Sequence, residues 1–228
     1  MPDALMKAIM TSSSTLADLA TTHPAAARVF YRTGLDFCCG GRRPLADACA
    51  ERGLDASAIL ASIEAEELIP SDTRRWDREP LPALISFIVD TFHRRLRESF
   101  PELIRMAEKV EVRHGEKASC PRGLVAHLTV MHESVLEHLA KEEHVLFPLI
   151  ANGQGRVAAG PVHVMEHEHE EHARALERLR RLTTNFVPPA EACITWRAMY
   201  LGLQQLEEEL MVHIHLENNV LFRRALIG

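Results

Sequence analysis

His138-Leu139-Ala140-Lys141-Glu142 and its echo His213-Ile214-His215-Leu216-Glu217 each set an imidazole and a carboxylate four residues apart. On an α-helix of about 3.6 residues per turn, that spacing stacks both side chains on one face, where one cation reaches both. A third copy, His167 to Glu171, acts as an internal control, because the spacing alone also describes an ordinary exposed pair. What separates the copies is the apolar pattern around them. Leu124, Leu128, Met131, Val135, His138, Glu142, Val145 and Leu149 recur at alternating steps of four and three, the seam of a bundle helix. Met199, Leu203, Leu206, Leu210, His213, Glu217 and Val220 form a second such seam. Around the third copy the seam reads Val162, Met165, His169, His172, Leu176, Leu179, Thr183, which leaves His167 and Glu171 facing solvent.

Two carboxylates in core seams are costly unless they are paired or bind a metal. Hydrogen-bonded core polar groups are the default for a single buried His, but two matched pairs with further inward His favour a divalent metal. A fourth seam, Ile85, Val89, His93, Leu96, Phe100, Leu103, contributes His93, and the third helix contributes His169. The expected set is therefore His93, His138, Glu142, His169, His213 and Glu217. Six ligands exceed one tetrahedral zinc. Two irons bridged by Glu142 and Glu217, each with two His, fit, with oxo, hydroxo or water in the remaining positions and room for a diatomic ligand. In His169-Glu170-Glu171-His172 the second His falls one residue short of the zinc-protease pattern. The cysteines are too dispersed for an iron–sulfur cluster.

The rest of the chain agrees with an all-α protein. Aromatic residues make up 5% of the 228, and Ala, Leu, Glu and Arg are plentiful. A formal charge of −6 without a dense basic block argues against nucleic acid as a partner. Met1 to Ser14 has neither a secretory leader nor a cleavage site, and no run is long enough to span a bilayer, so a soluble, intracellular protein is expected. The odd count of 5 cysteines, with Cys38 and Cys39 adjacent, suits a reducing compartment.

Residues 1–68 read as a small helical domain: Thr15 caps a helix from Leu16, Pro24 opens one that stops at Gly34, Pro44 opens one closed by Gly53, and Asp55 caps a fourth. Residues 69–82, with three prolines and many charges, read as a linker in which Trp76 docks on a neighbour. Residues 83–228 read as an up-down-up-down four-helix bundle, with helices over about Leu81–Arg113, Pro121–Ile150, Pro161–Thr184 and Ala190–Leu226. Pro101 is expected to kink or restart the first, and Asn152-Gly153-Gln154-Gly155 and Val187-Pro188-Pro189 are read as loops.

The bundle with His93, His138 through Glu142, His169 and His213 through Glu217 resembles a hemerythrin-like di-iron domain. The preceding unit with Asp36-Phe37-Cys38-Cys39-Gly40-Gly41 is similar to the N-terminal domain of the Repair of Iron Centers family, and Ala140 to Pro148 and His215 to Phe222 extend the match over nearly the whole chain. The resemblance implies a cytoplasmic stress-response protein that restores damaged iron–sulfur proteins by supplying iron. Reaction with nitric oxide as a di-iron reductase, or service as a sensor or carrier of nitric oxide or dioxygen, is the alternative. A homodimer is also implied. Oxygen-carrying hemerythrins use one His more, so easier iron release is expected here. Cys38 and Cys39, with two Arg and a helix start after them, are read either as favouring thiolate and reactivity or metal capture or as a pair of small turn residues, one buried; the resemblance implies redox or iron transfer for them. His172 faces inward and has three readings: spare ligand, orienting group or core His. His127, His132, His144 and His163 are expected to be structural or superficial, and Cys49, Cys120 and Cys193 to be packing residues.

Overall fold

The computed structural model describes residues 10–68 and 74–227. The leader reading over its first nine residues, the start of the linker at 69–73 and the final residue lie outside the described residues. Among those described, every extended element is helical and the sole bridge pairs Thr15 with Pro44. No helix among them is long and apolar enough to cross a membrane.

The chain divides into two compact units: Met1–Glu79 with Ile214–Leu221, and Pro80–His213 with Phe222–Gly228. In the first, α1 (Leu16–Thr22), α2 (Pro24–Thr33), α3 (Leu45–Arg52) and α4 (Ala56–Glu67) form where the capping residues imply. Thr15 Oγ1 accepts from the Asp18 amide at 3.1 Å, and Asp55 Oδ1 accepts from the Ser57 amide at 2.9 Å. Leu16, Phe30, Leu35, Phe37, Leu45 and Ile63 are its fully buried centre. Glu66 of α4 holds Arg28 and Arg32 of α2 at 2.9 and 2.6 Å. Trp76 carries the Arg74 guanidinium on its ring face at 4.9 Å.

The four-helix bundle comprises the second unit, with Ile214–Leu221 of its fourth rod counted in the first. Its first rod is α5 (Leu81–Ile88), a π turn (Val89–His93) and α6 (Arg94–His114); its second is α7 (Leu124–Lys141), a π turn (Glu142–Leu146) and α8 (Phe147–Ala151). The third is α9 (Gly155–Leu182). The fourth begins with α10 (Ile194–His215), passes through a π turn (Leu216–Leu221) and ends in α11 (Phe222–Ile227). Salt bridges tie α10 to both flanks, Arg180 to buried Glu207 at 2.6 Å and Arg95 to Glu209 at 2.9 Å.

Each π turn holds a candidate ligand: His93, Glu142 or Glu217. A π turn closes i to i+5 and inserts one residue into the helical period. The seams expected from a pure α period therefore slip by one beside it. Val145 is 51% exposed and Leu146 and Ile150 are buried in its stead, while Leu84 and Ile88 take the places expected for Ile85 and Val89.

Two helix boundaries also differ from expectation. Pro101 lies within α6, which does not restart there. The third rod starts at Gly155, six residues before Pro161, because Gly155 is a packing glycine: a Cβ there would collide with the Ala225 carbonyl oxygen of α11. The fourth starts at Ile194, since Arg197 binds the carbonyls of Ala190 and Ala192 at 3.0 and 3.1 Å and holds that stretch as a loop. Before it, Thr184, Asn185 and Phe186 all take positive φ, 51°, 55° and 60°. Such a run costs roughly 1–2 kcal/mol per residue. Burial of Phe186 under the Arg180 guanidinium, 5.4 Å from the ring centre, offsets part of that cost.

Candidate metal centre

All six expected ligands are buried, His138 at 2% exposure and the others at 0%. Their ligating atoms form two groups, His93, Glu142, His213, Glu217 and His138, Glu142, His169, Glu217, each within 4.8 Å. Both carboxylates belong to both groups. The four rods supply these residues because each seam turns its polar positions inward at the level where the π turns widen the helices.

Within each group the two imidazoles meet through Nε2: His93 to His213 at 3.1 Å and His138 to His169 at 3.0 Å. Glu142 Oε2 stands 3.4 Å from His93 Nε2 and 3.5 Å from His138 Nε2. The far nitrogens set the tautomers. His93 Nδ1 lies 2.7 Å from Glu143 Oε1, and His138 Nδ1 lies 2.8 Å from Glu168 Oε2. An ionised carboxylate only accepts, so each Nδ1 carries a proton and donates it, and each Nε2 lone pair faces the group. Around a six-coordinate cation with metal–nitrogen bonds of about 2.1 Å, adjacent nitrogens stand about 3.0 Å apart, so the residues present fit metal ions. Phe92, Phe147 and Phe222 stack on His213, His93 and His169 and close the walls.

The comparisons with known proteins agree with this geometry. Residues 84–225 match the hemerythrin HHE cation binding domain, and residues 12–67 match a domain of unknown function, DUF542. The iron-sulfur cluster repair protein YtfE of Musicola paradisiaca is 48% identical over 93% of this chain and 96% of its own length. The protein of the same name from Yersinia pseudotuberculosis is 47% identical over 95% of this chain and 98% of its own. The chain belongs to the YtfE family.

In this YtfE-family chain the sequence reading missed the residues that orient the ligands. Glu143 accepts from His93 and from Arg97 Nη2 at 2.9 Å; Glu168 accepts from His138 and from Lys141 Nζ at 2.7 Å. The His138 bond, and then Lys141, hold the Glu168 carboxyl down at about 2. Burial pushes Glu143 up, but the His93 and Arg97 bonds together outweigh it and keep the carboxyl below its ordinary range. Both glutamates adjoin a ligand in sequence, Glu142 or His169. The available signal was a carboxylate next to a ligand with a cation one helix away.

His172 is buried and stands edge-on to His138, ring centres 4.9 Å apart, outside both groups. Its Nε2 is 3.4 Å from Ser134 Oγ, and its Nδ1 has no hydrogen-bond partner among the described residues. Burial, then the neighbouring His138, His169 and His213, hold it down at about 3, so it is neutral at physiological pH. His127 is buried against the Ala175 carbonyl at 2.9 Å, and His132 stacks on Phe100. The third copy is solvated as expected, His167 and Glu171 being 65% and 55% exposed.

Cys38 corrects an expectation. None of the five cysteines is in a disulfide. Cys38 is buried, and its hydrogen bond with Cys39, then its burial and the Asp36 carboxylate, push its thiol well above the ordinary value, where thiolate was expected. The neighbouring thiol and burial, with Asp36 folded onto the sulfur by the turn, are what keep the proton on Cys38.

Proposed function

We propose that this protein restores iron–sulfur proteins damaged by nitrosative or oxidative stress, acting in the cytoplasm as an iron donor. In this reading a cysteine-bearing domain, residues 1–68, is joined through 69–82 to the bundle, 83–228. Two irons would be held by His93, His138, Glu142, His169, His213 and Glu217, with Glu142 and Glu217 bridging. The observation that carries the reading is that both carboxylates are shared by the two groups of four. The name and the full-length match of the relatives supply the client class.

When bound, the irons supply exchangeable iron with open coordination positions. The protein's own part is orientation and shelter. Glu143 and Glu168 keep the Nδ1 protons of His93 and His138 in place, so that their Nε2 atoms stay unprotonated toward the cations. The stacked phenylalanines limit water at three of the imidazoles. With one His fewer than an oxygen carrier, the ligand set is suited to giving iron up. Cys38 and Cys39 would serve redox or iron transfer.

The test is to load the purified protein with iron and follow reactivation of an iron–sulfur enzyme damaged by nitric oxide. Wild type restores activity and Glu142→Leu does not. Equal restoration by both, or by ferrous iron without protein, would remove the donor reading. Iron loss to a chelator as slow as from an oxygen carrier would remove its physical basis.

A further inference from the structure

The turn Asp36-Phe37-Cys38-Cys39-Gly40-Gly41 holds a group of possible ligands that the bundle site does not use. The Cys38 and Cys39 sulfurs lie 3.8 Å apart, and Cys38 Sγ lies 3.3 Å from Asp36 Oδ1. Ligand atoms of all three residues fall within 4.8 Å of one another. A disulfide needs about 2.05 Å between sulfurs, so these are not poised as one. Two thiolates on a tetrahedral cation with metal–sulfur bonds of about 2.3 Å stand about 3.8 Å apart, and a thiolate and a carboxylate oxygen about 3.6 Å apart. The resting turn already has the first of those edge lengths, and its Cys38–Asp36 edge, at 3.3 Å, is somewhat shorter than the second.

The arrangement is held from the backbone side. Asp36 Oδ1 accepts from the amides of Cys38 and Cys39 at 3.2 and 3.0 Å, and Oδ2 from Gly40 at 2.9 Å. Asn219 Nδ2 donates to the carbonyls of Phe37 and Cys38 at 3.2 and 3.1 Å. A Cβ on Gly41 would come within 2.6 Å of the Phe37 oxygen, so the turn closes this tightly only with glycine there. One side is open, since Cys38 is buried, Cys39 half-buried and Asp36 exposed.

We propose that Asp36, Cys38 and Cys39 form a second cation site, which binds one borderline-soft divalent ion of the Fe²⁺ or Zn²⁺ class through two thiolates and a carboxylate. Hard ions such as Mg²⁺ are disfavoured by the sulfurs. Binding releases the two thiol protons to solvent and leaves a fourth position for water or an incoming ligand, so the ion exchanges rather than being stored. The site stands on its own geometry; if the ion is ferrous, it deepens the repair reading by giving iron a place to rest in transit.

Co²⁺ titrated into the reduced full-length protein under anaerobic conditions tests this, because a thiolate-to-cobalt charge-transfer band arises from sulfur ligands and not from the His and Glu of the bundle. Wild type should develop the band with one additional equivalent of cobalt. It should be absent from Cys38→Ser/Cys39→Ser and retained by Cys49→Ser/Cys120→Ser/Cys193→Ser. Asp36→Asn keeps the amide-accepting oxygen and loses the charge, so it should bind at least about tenfold more weakly. Should the double variant fold poorly, Cys39→Ser, at the half-buried position, must still weaken the band. No band in wild type, a band surviving in the double variant, or unchanged affinity in Asp36→Asn overturns the site. A band without reactivation of a damaged enzyme would sink the donor reading alone; reactivation without a band would sink this site alone.

Discussion

The His93/His213 half of the candidate centre and the His138/His169 half share both carboxylates and nearly the same imidazole spacing, 3.1 against 3.0 Å, yet they are supported differently. Glu143 of the first half is tied to an arginine, and Glu168 of the second to a lysine that also reaches Glu137 at 3.1 Å. The second half alone has His172 against its rings. Equivalent ligands thus sit in inequivalent surroundings. The physical consequence is that the two positions should differ in how firmly they hold a cation, even though their donor sets match.

The largest effect should come from removing what the halves share. Glu142→Leu should abolish metal uptake at both positions, as metal analysis of protein from iron-replete cells would show. The same change removes a buried carboxylate, so the metal-free variant should unfold at the same temperature as the wild type or higher. Retention of one ion would mean that the carboxylates do not bridge. Next come the orienting residues. Glu168→Gln and Glu143→Gln should each weaken cation binding by about 10- to 100-fold, measured by competition with a chelator. Each should act on its own half, and equal losses at both positions in either variant would erase the distinction between halves.

His172→Leu is expected to be smaller and opposite in sign. Replacing a buried ring whose Nδ1 lacks a hydrogen bond should raise the stability of the metal-free protein by about 1–2 kcal/mol in denaturant unfolding. Unchanged metal content would assign His172 to packing; loss of one ion would make it an orienting group for His138. The smallest effect serves as a control remote in sequence from both halves. Bonds from Arg32 and then Arg28 hold the Glu66 carboxyl at about 2, down from the ordinary 4.5. A lowered carboxyl stabilises above the unfolded value, and that contribution fades as pH falls from about 4.5 through 2. Glu66→Gln should therefore be slightly less stable than wild type at neutral pH and indistinguishable from it below pH 2, while metal content stays unchanged.

Much of this was legible in one dimension because it depends on local periods. Thr15, Asp55 and the apolar steps around His138 and His213 announce helices and their inward faces through hydrogen bonds and burial within one or two turns. The solvated third copy at His167 followed from the same period. Val145 and Val89 failed because a π turn is a one-residue defect with no composition signal of its own. Gly155 failed because the neighbour that demands a glycine, the Ala225 carbonyl, is distant in sequence.

Sequence alone determined the helical class, the inward seams and the identity of the six buried candidate ligands, since helical periodicity turns spacing into facing. Only the tertiary structure decided that Glu143 and Glu168 orient two of those ligands, that π turns shift the packing beside them, and that the Cys39 bond, then burial and Asp36, raise the Cys38 thiol. Those outcomes depend on how side chains and carbonyls meet in three dimensions, and the period of a single helix carries no information about what stands opposite it.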